Sequence, residues 1–97
     1  MKINMETLPH VTQIYGTCGN YWVDEAGTIQ IRVSETGNDD FNWLVFLHEA
    51  IVQKLSQHRG MKLTDKEHLL AAGIEKIMAS LLDLDWNKYE NTISEIT

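Results

Sequence analysis

The chain has 97 residues, 43% of them hydrophobic, which is enough for one core, so we expect a single domain over residues 1–97. Eight Lys and Arg against fourteen Asp and Glu give a net charge of −6, which argues against nucleic acid as a partner because phosphate binding needs clustered basic residues. The absence of a signal-peptide core, of a membrane-length apolar stretch and of a second cysteine predicts a cytoplasmic protein without membrane contact.

The first third of the sequence has the composition of short strands separated by turns. We expect strands at residues 11–16 (VTQIYG), 21–23 (YWV) and 28–33 (TIQIRV). In the last of these, Ile and Val alternate with polar residues, which is the period of a sheet with one buried face. The short connection through Gly27 predicts a hairpin, and hence a short antiparallel β-sheet.

The period of the apolar residues changes to that of a helix after residue 38. Residues 41–59 (FNWLVFLHEAIVQKLSQHR) predict a helix of about five turns, with an N-cap among residues 38–40 and with Gly60 after its end. At about 100° per residue, six apolar side chains of this segment lie within about 60° of His48 on either side: Phe41, Leu44, Val45, Ile51, Val52 and Leu55. His48 is therefore expected in the middle of the buried stripe.

A second helix is predicted from a capping box formed by Thr64 and Glu67 to about Leu82. Small alanines share one of its faces with His68 and Glu75, and we expect this face to meet the first helix. The opposite face carries large aliphatic residues: Leu70, Ile74, Ile77, Leu81 and Leu84. A helix that is apolar on both sides is expected to lie between two other elements.

A short terminal helix is predicted after Asp85, the residue expected as its N-cap. Trp86, Tyr89 and Ile93 would pack inward from this helix. The predicted fold class is therefore α+β: a short antiparallel sheet followed by two packed helices and a short C-terminal helix.

The adjacent His48 and Glu49 are the strongest candidates in the sequence for metal binding or catalysis. In the H-E-x-x-H motif of zinc peptidases, two histidines one turn apart bind the metal and the glutamate polarises its bound water. Here Val52 occupies the position of the second histidine. His68 and Glu75 share one helical face, so they and His48 could form a three-ligand zinc site in which Glu49 is the catalytic carboxylate. The alternative is a buried polar cluster in which a carboxylate orients two imidazoles without any metal.

The motifs IRVSETG, HE…HRG and LDWNKYE occur in this order between about Tyr15 and Tyr89. This arrangement resembles a family of small phage and prophage proteins of uncharacterised function, and more distantly the zincin-like domains of the ImmA/IrrE type. In those relatives the helix contains H-E-x-x-E or H-E-x-x-H, and the second helix supplies a further ligand. The resemblance implies a minimal zincin-like fold, in which this chain keeps His48 and Glu49 but has Val52 at the second ligand position.

Three functions agree with these observations. We favour a degenerate metallopeptidase-like phage or prophage protein that binds a host or viral protein as an inhibitor or modulator, because Val52 removes a ligand from a well-formed helix. No cofactor is then expected. The second possibility is a zinc-dependent hydrolase that uses His48, Glu49, His68 and Glu75. The third is an acidic inhibitor or mimic without a metal site.

A protein partner would contact the loops around the predicted hairpin, where acidic residues are concentrated. These residues are Asp24, Glu25, Glu35, Asp39 and Asp40. They predict an acidic surface that would suit a basic partner. Cys18 lies in a turn bounded by glycines without a nearby histidine in sequence; of a nucleophilic and a bystander role, we favour the bystander.

Overall fold

The computed structural model describes residues 2–13, 16–59 and 65–97, and in these ranges it is an α+β fold. The strands are β1 (Ile3–Leu8), β2 (Gly19–Val23) and β3 (Ile29–Ser34), and they form one sheet in the order β1-β3-β2. The helices are α1 (Asp39–Arg59), α2 (Asp65–Leu81) and α3 (Trp86–Ile96). Helix α1 packs against β2 and β3 on one side and against α2 on the other.

The sheet is mixed, so the prediction of an antiparallel sheet is wrong. Strands β2 and β3 pair antiparallel across a turn in which Gly27 has a φ of 81°, a conformation that favours glycine. Strand β1, however, pairs with β3 in parallel, from Ile3 opposite Ile29 to Leu8 opposite Ser34. Five of its six residues are exposed, so β1 has no alternation of buried and exposed side chains that its sequence could reveal.

The strand expected at residues 11–16 is also wrong over its described residues. His10–Thr12 form a short 3-10 helix that starts after Pro9, and Val11 is 90% exposed. Its backbone hydrogen bonds are local, because the Thr12 N–H donates to the Pro9 carbonyl at 2.9 Å. Residues 14 and 15 lie outside the described residues. The residues of this short helix therefore do not join the sheet.

The core lies between the sheet and α1. Ile29, Ile31 and Val33 are 4%, 1% and 0% exposed, which confirms the predicted alternation in β3. They pack with buried residues from α1, α2 and α3: Phe41, Leu44, Val45, Ala79 and Tyr89. Helix α1 thus supplies core side chains at its first turns and, at its next turns, residues of the candidate site.

Helix α1 agrees with its prediction at both ends. The Asn38 side-chain Oδ1 accepts hydrogen bonds from the backbone N–H groups of Asp40, at 2.9 Å, and Phe41, at 3.2 Å. These bonds satisfy donors that have no partner within the helix, which is the function of an N-cap. The helix ends at Arg59. Gly60, predicted to follow it, lies outside the described residues, as does Thr64 of the predicted capping box.

Helix α2 packs on α1 through its small-residue face, as predicted, with Ala79 1% exposed. Leu82 was predicted on the same face, but it follows the end of the helix and is 45% exposed. Of the five residues predicted on the aliphatic face of α2, Leu84 packs against the core, whereas the other four are exposed. On that face, Ile77 is 65% and Leu81 73% exposed. The expectation of a helix between two layers is therefore wrong, because the sheet lies on the far side of α1.

Helix α3 begins as predicted, with the Asp85 carboxylate accepting a hydrogen bond from the Lys88 N–H at 3.1 Å. It has 11 residues, about three turns, and Tyr89 is its buried residue. The Tyr89 ring packs edge-on against Phe41 with a centroid distance of 5.3 Å. No helix in the described part of the chain has both the length and the apolar character needed to cross a membrane.

Candidate functional site

Three of the predicted site residues meet between α1 and α2. The His48 side chain is 21% exposed, and its ring points at α2, as predicted from its helical face. Its Nδ1 contacts Oε1 of Glu75, and its Nε2 lies 3.1 Å from Nδ1 of His68. His68 and Glu75 are two turns apart on the alanine face of α2, and the small neighbours allow α1 to approach them closely.

The carboxylate of Glu75 is buried, with 4% of the residue exposed, and both of its oxygens have partners. Oε1 contacts His48, and Oε2 accepts a hydrogen bond of 2.8 Å from the Tyr89 hydroxyl. A buried carboxylate without such partners would be costly. The sequence predicted Tyr89 only as a packing residue. Its hydrogen bond to Glu75 could have been anticipated, because a tyrosine at an inward-facing position has a buried hydroxyl that needs a partner.

The surroundings of His48 favour its protonated form. Burial by itself lowers the pKa of His48, but the contact with Glu75 and the charges of Glu75 and Glu49 outweigh it, so the pKa is raised. Glu75 accepts from the Nδ1–H group, so neutral His48 has its lone pair on Nε2, towards His68. When His48 is protonated, Nε2 donates to Nδ1 of His68 instead.

Glu49 lies against β2 because residue 19 is a glycine. A Cβ atom on Gly19 would lie 2.8 Å from Cγ of Glu49 and 3.0 Å from Cγ1 of Val45. Burial raises the pKa of Glu49; the charge of His48 opposes this rise, and the charge of Glu75 adds to it. A carboxyl group with a raised pKa beside a histidine has the properties of a proton acceptor in catalysis. Burial at a helix–strand contact produces the same rise without any catalytic role.

A cleft of about 1140 Å³ adjoins the cluster, between β2 and the helices α1, α2 and α3. His48, Glu49, His68 and Glu75 all line it, so the four residues predicted for a hydrolase are on one surface. Cys18 also lines the cleft but is only 7% exposed, and burial raises the pKa of its thiol. A nucleophilic cysteine needs a lowered pKa, so burial works against the reactivity of the Cys18 thiol.

The two histidines are spaced as ligands of one ion. Their facing nitrogens are 3.1 Å apart, close to the about 3.3 Å between two nitrogens at 2.0–2.1 Å from a tetrahedral zinc. Glu75 contacts the opposite nitrogen of His48, which is the position of a carboxylate that orients a metal-binding histidine. Within residues 2–13, 16–59 and 65–97, no group of three His, Cys, Asp or Glu side chains is placed to hold a metal ion.

Two of the five acidic residues predicted to contact a partner stabilise local turns. Asp24 accepts hydrogen bonds from Gln30 Nε2 and from the N–H groups of Thr28 and Ala26, and these bonds, that of Gln30 foremost, lower the pKa of Asp24. The Glu35 carboxylate accepts from Asn42 and from the Gly37 N–H, which similarly lower the pKa of Glu35, Asn42 contributing most.

The other three acidic residues, Glu25, Asp39 and Asp40, are exposed. Asp39 and Asp40 lie in the first turn of α1, where negative charge interacts favourably with the helix dipole. None of the five lines the cleft beside His48. Their contact with a partner stays a prediction that concerns a surface separate from the histidine cluster.

Comparison of the chain with protein-family models, with curated proteins and with solved structures finds no match in any of the three. The resemblance to phage proteins and zincin-like domains therefore rests on the sequence motifs alone.

Proposed function

We propose that this chain is a protein-binding module on a degenerate metallopeptidase-like scaffold, of phage or prophage origin. The observation that carries the proposal is the exposed aliphatic face of α2 in the described part of the chain. We call it the α2 seam and define it by four residues: Leu70, Ile74, Ile77 and Leu81. Each of the four exposes between 43% and 73% of its surface.

The α2 seam is unusual for a chain of this size. Single exposed aliphatic residues are common, but four on one helical face form a contiguous apolar patch, and such patches mark interaction sites. The adjoining small-residue face of α2 already packs on α1, so the helix is anchored without the seam. Covering the seam with a partner would remove its apolar surface from water, which favours association.

The histidine cluster supports the degenerate scaffold. Glu75 has both oxygens occupied by His48 and Tyr89, so the cluster is a satisfied polar contact between three helices. Val52, at the position of the missing ligand, is fully buried, with 0% exposure. These contacts give the cluster a structural role that needs no reaction.

A capture experiment with matched variants tests the proposal. Ile74→Lys and Ile77→Lys place a charge on the α2 seam, whereas Leu69→Lys changes a residue that is 74% exposed but lies about 110° away around the helix. We expect the seam variants to lose proteins captured from a bacterial lysate and Leu69→Lys to keep them. Capture that is equal in all three folded variants would contradict binding through the seam.

Variants in the acidic loops test whether the partner binds there instead of at the α2 seam. Asp39→Lys and Asp40→Lys reverse charge at exposed positions away from the seam. If an acidic face selects the partner, these variants should slow association and weaken its salt dependence. Loss of capture only in the loop variants would favour the acidic inhibitor over a seam-based module.

A zinc-dependent hydrolase is the second candidate, favoured by the 3.1 Å spacing of the histidine nitrogens. His48 and His68 would hold the ion, Glu75 would orient His48, and Glu49 would accept a proton from water. The ion, when bound, would supply Lewis acidity. Calorimetric titration with Zn²⁺ tests the site: binding of one equivalent that disappears in His48→Ala, with peptide hydrolysis lost in Glu49→Gln, would place this candidate first.

A further inference from the structure

We propose that strand β1 pairs with β1 of a second copy of this chain, antiparallel and about a two-fold axis that passes beside Asn4. The two three-stranded sheets then form one sheet with both β1 strands at its centre. The inference concerns a different element from the α2 seam, so it goes beyond the proposed function and does not depend on it.

Strand β1 lies at an edge of the sheet and presents unpaired backbone groups. The sheet order is β1-β3-β2, so β3 covers one side of β1, and no segment in the described ranges pairs with the other side. The Lys2 carbonyl accepts from the Ile29 N–H of β3 at 2.9 Å. Backbone groups alternate in direction along a strand, so Ile3, Met5 and Thr7 direct theirs to the open edge. Such an edge is a template for the addition of a strand.

The sequence of β1 is complementary to itself when one copy runs in the opposite direction. Residues 2–6 (KINME) are basic, apolar, amide, apolar and acidic in turn. Antiparallel pairing about Asn4 therefore sets Lys2 opposite Glu6 of the second copy. It also sets Ile3 opposite Met5 of the second copy. The symmetry repeats both contacts, and opposite charges and apolar pairs directly across two strands stabilise their pairing.

The same register satisfies the unpaired backbone groups. Ile3 and Met5 both face the open edge, so each Ile3–Met5 pair across the axis exchanges two hydrogen bonds. The two Asn4 residues then form the close pair without backbone hydrogen bonds, with Cα atoms about 4.5 Å apart. A shift by one residue would set inward-facing groups against outward-facing ones. A shift by two residues would separate Lys2 from Glu6, so charge and backbone together select one register.

Two apolar side chains of β1 extend beyond the cover that α1 gives the rest of the sheet. Ile3 and Met5 lie opposite Ile29 and Ile31 of β3, on the face that carries the core. The two β3 residues are 4% and 1% exposed, whereas Ile3 is 45% and Met5 36% exposed. Pairing of two β1 strands removes part of this apolar surface from water, because each Ile3 then lies beside a Met5 of the other copy.

The opposite face of β1 carries the charges of the contact. Lys2 is exposed, and Glu6 accepts a hydrogen bond of 2.8 Å from Nε of Arg32, which holds the carboxylate along the sheet. Two chains with a charge of −6 each repel one another, so a contact between copies needs local attraction, and the two Lys2–Glu6 pairs supply it. A contact between single strands is small, so we expect a dimer that dissociates on dilution.

Charge reversal tests the pairing. Sedimentation equilibrium of wild type should show a mass rising from 11.1 kDa towards twice that value as concentration increases. Lys2→Glu and Glu6→Lys each set like charges opposite one another twice, so each variant alone should raise the Kd at least about tenfold. An equimolar mixture of the two variants sets opposite charges together again, so it should associate about as strongly as wild type. Glu25→Lys, an equal charge change at an exposed residue outside β1, is the control and should leave the Kd unchanged.

A disulfide reports the register. Asn4→Cys brings two thiols to the axis at a Cα separation that a disulfide can bridge, so oxidation should give a covalent dimer. Thr7→Cys is the matched control, because two copies of position 7 would lie about 20 Å apart along the paired strands. The native Cys18 is present in both variants and is 7% exposed.

Three results would each overturn the inference. The first is wild type that stays at 11.1 kDa at every concentration. The second is a mixture of Lys2→Glu and Glu6→Lys that associates no better than either variant alone, and the third is equal cross-linking of Asn4→Cys and Thr7→Cys. The lysate experiment is a separate test: Lys2→Glu should keep the captured proteins that the α2 seam variants lose.

Discussion

The hydroxyl of Tyr89 donates a hydrogen bond of 2.8 Å to Oε2 of Glu75, joining α3 to a buried carboxylate whose other oxygen contacts His48 of α1. Three helices therefore meet at a single acidic side chain. The low polarity of the site strengthens these contacts and makes an unpaired member costly. The stability of the helical layer and the ionisation of the site are thus coupled.

Removal of the Tyr89 hydroxyl tests this coupling. Tyr89→Phe leaves Oε2 of Glu75 buried without a donor, so we expect the free energy of unfolding to fall by about 1–3 kcal/mol. Urea denaturation monitored by circular dichroism measures it. In a double-mutant cycle, Tyr89→Phe should cost less in a Glu75→Gln background. Equal costs in both backgrounds would show that the hydroxyl and the carboxylate act independently.

The ionisation of His48 is the next test. Glu75→Gln removes the carboxylate that outweighs burial, so the pKa of His48 should fall. Because the folded-state pKa of wild type lies above the ordinary value of 6.5, the protonated His48 stabilises the fold fully below about pH 6.5. This stabilisation is lost as pH rises through the folded-state pKa. NMR titration of the imidazole gives the pKa directly, and a value unchanged in Glu75→Gln would contradict the assigned cause.

Glu49 should also make the fold less stable as pH rises, but over a lower pH range and for a different reason. Its folded-state pKa is raised above 4.5, chiefly by burial, so its ionised form destabilises the fold, and this penalty grows as pH rises above about 4.5. Glu49→Gln removes the ionisation. We expect the variant to be more stable than wild type at pH 7 and the difference to shrink towards pH 4. Thermal unfolding across this range measures the difference, and a constant difference would be inconsistent with a buried carboxyl group.

Gly19 tests the contact between β2 and α1. Gly19→Ala would bring a methyl group to within 3.0 Å of the Val45 and Glu49 side chains, so we expect a loss of about 1–3 kcal/mol in the free energy of unfolding. Gly16→Ala is the matched control, because a Cβ atom there meets nothing within 4 Å. Similar losses in both variants would point to backbone effects rather than crowding.

Several features of this protein were determined by local sequence pattern. The alternation of Ile29, Ile31 and Val33 predicted the buried face of β3, and Asn38 and Asp85 marked the starts of α1 and α3. The direction of the His48 ring followed from the helical period. These features depend on residues within a few turns of each other, where the geometry of the backbone alone relates position to face.

The tertiary structure alone decided the rest. Strand β1 is exposed on both faces and pairs in parallel with a strand 26 positions away. It therefore has neither an apolar period nor a short hairpin turn from which the sequence could predict it. The apolar period of α2 was visible in the sequence, but whether another layer covers Ile77 depends on where the sheet lies. Tyr89 reaches Glu75 only because α3 packs against α2 and its Tyr89 ring against Phe41 of α1. The period of a segment shows which of its faces is buried, but the partner of that face is set by packing between residues distant in sequence.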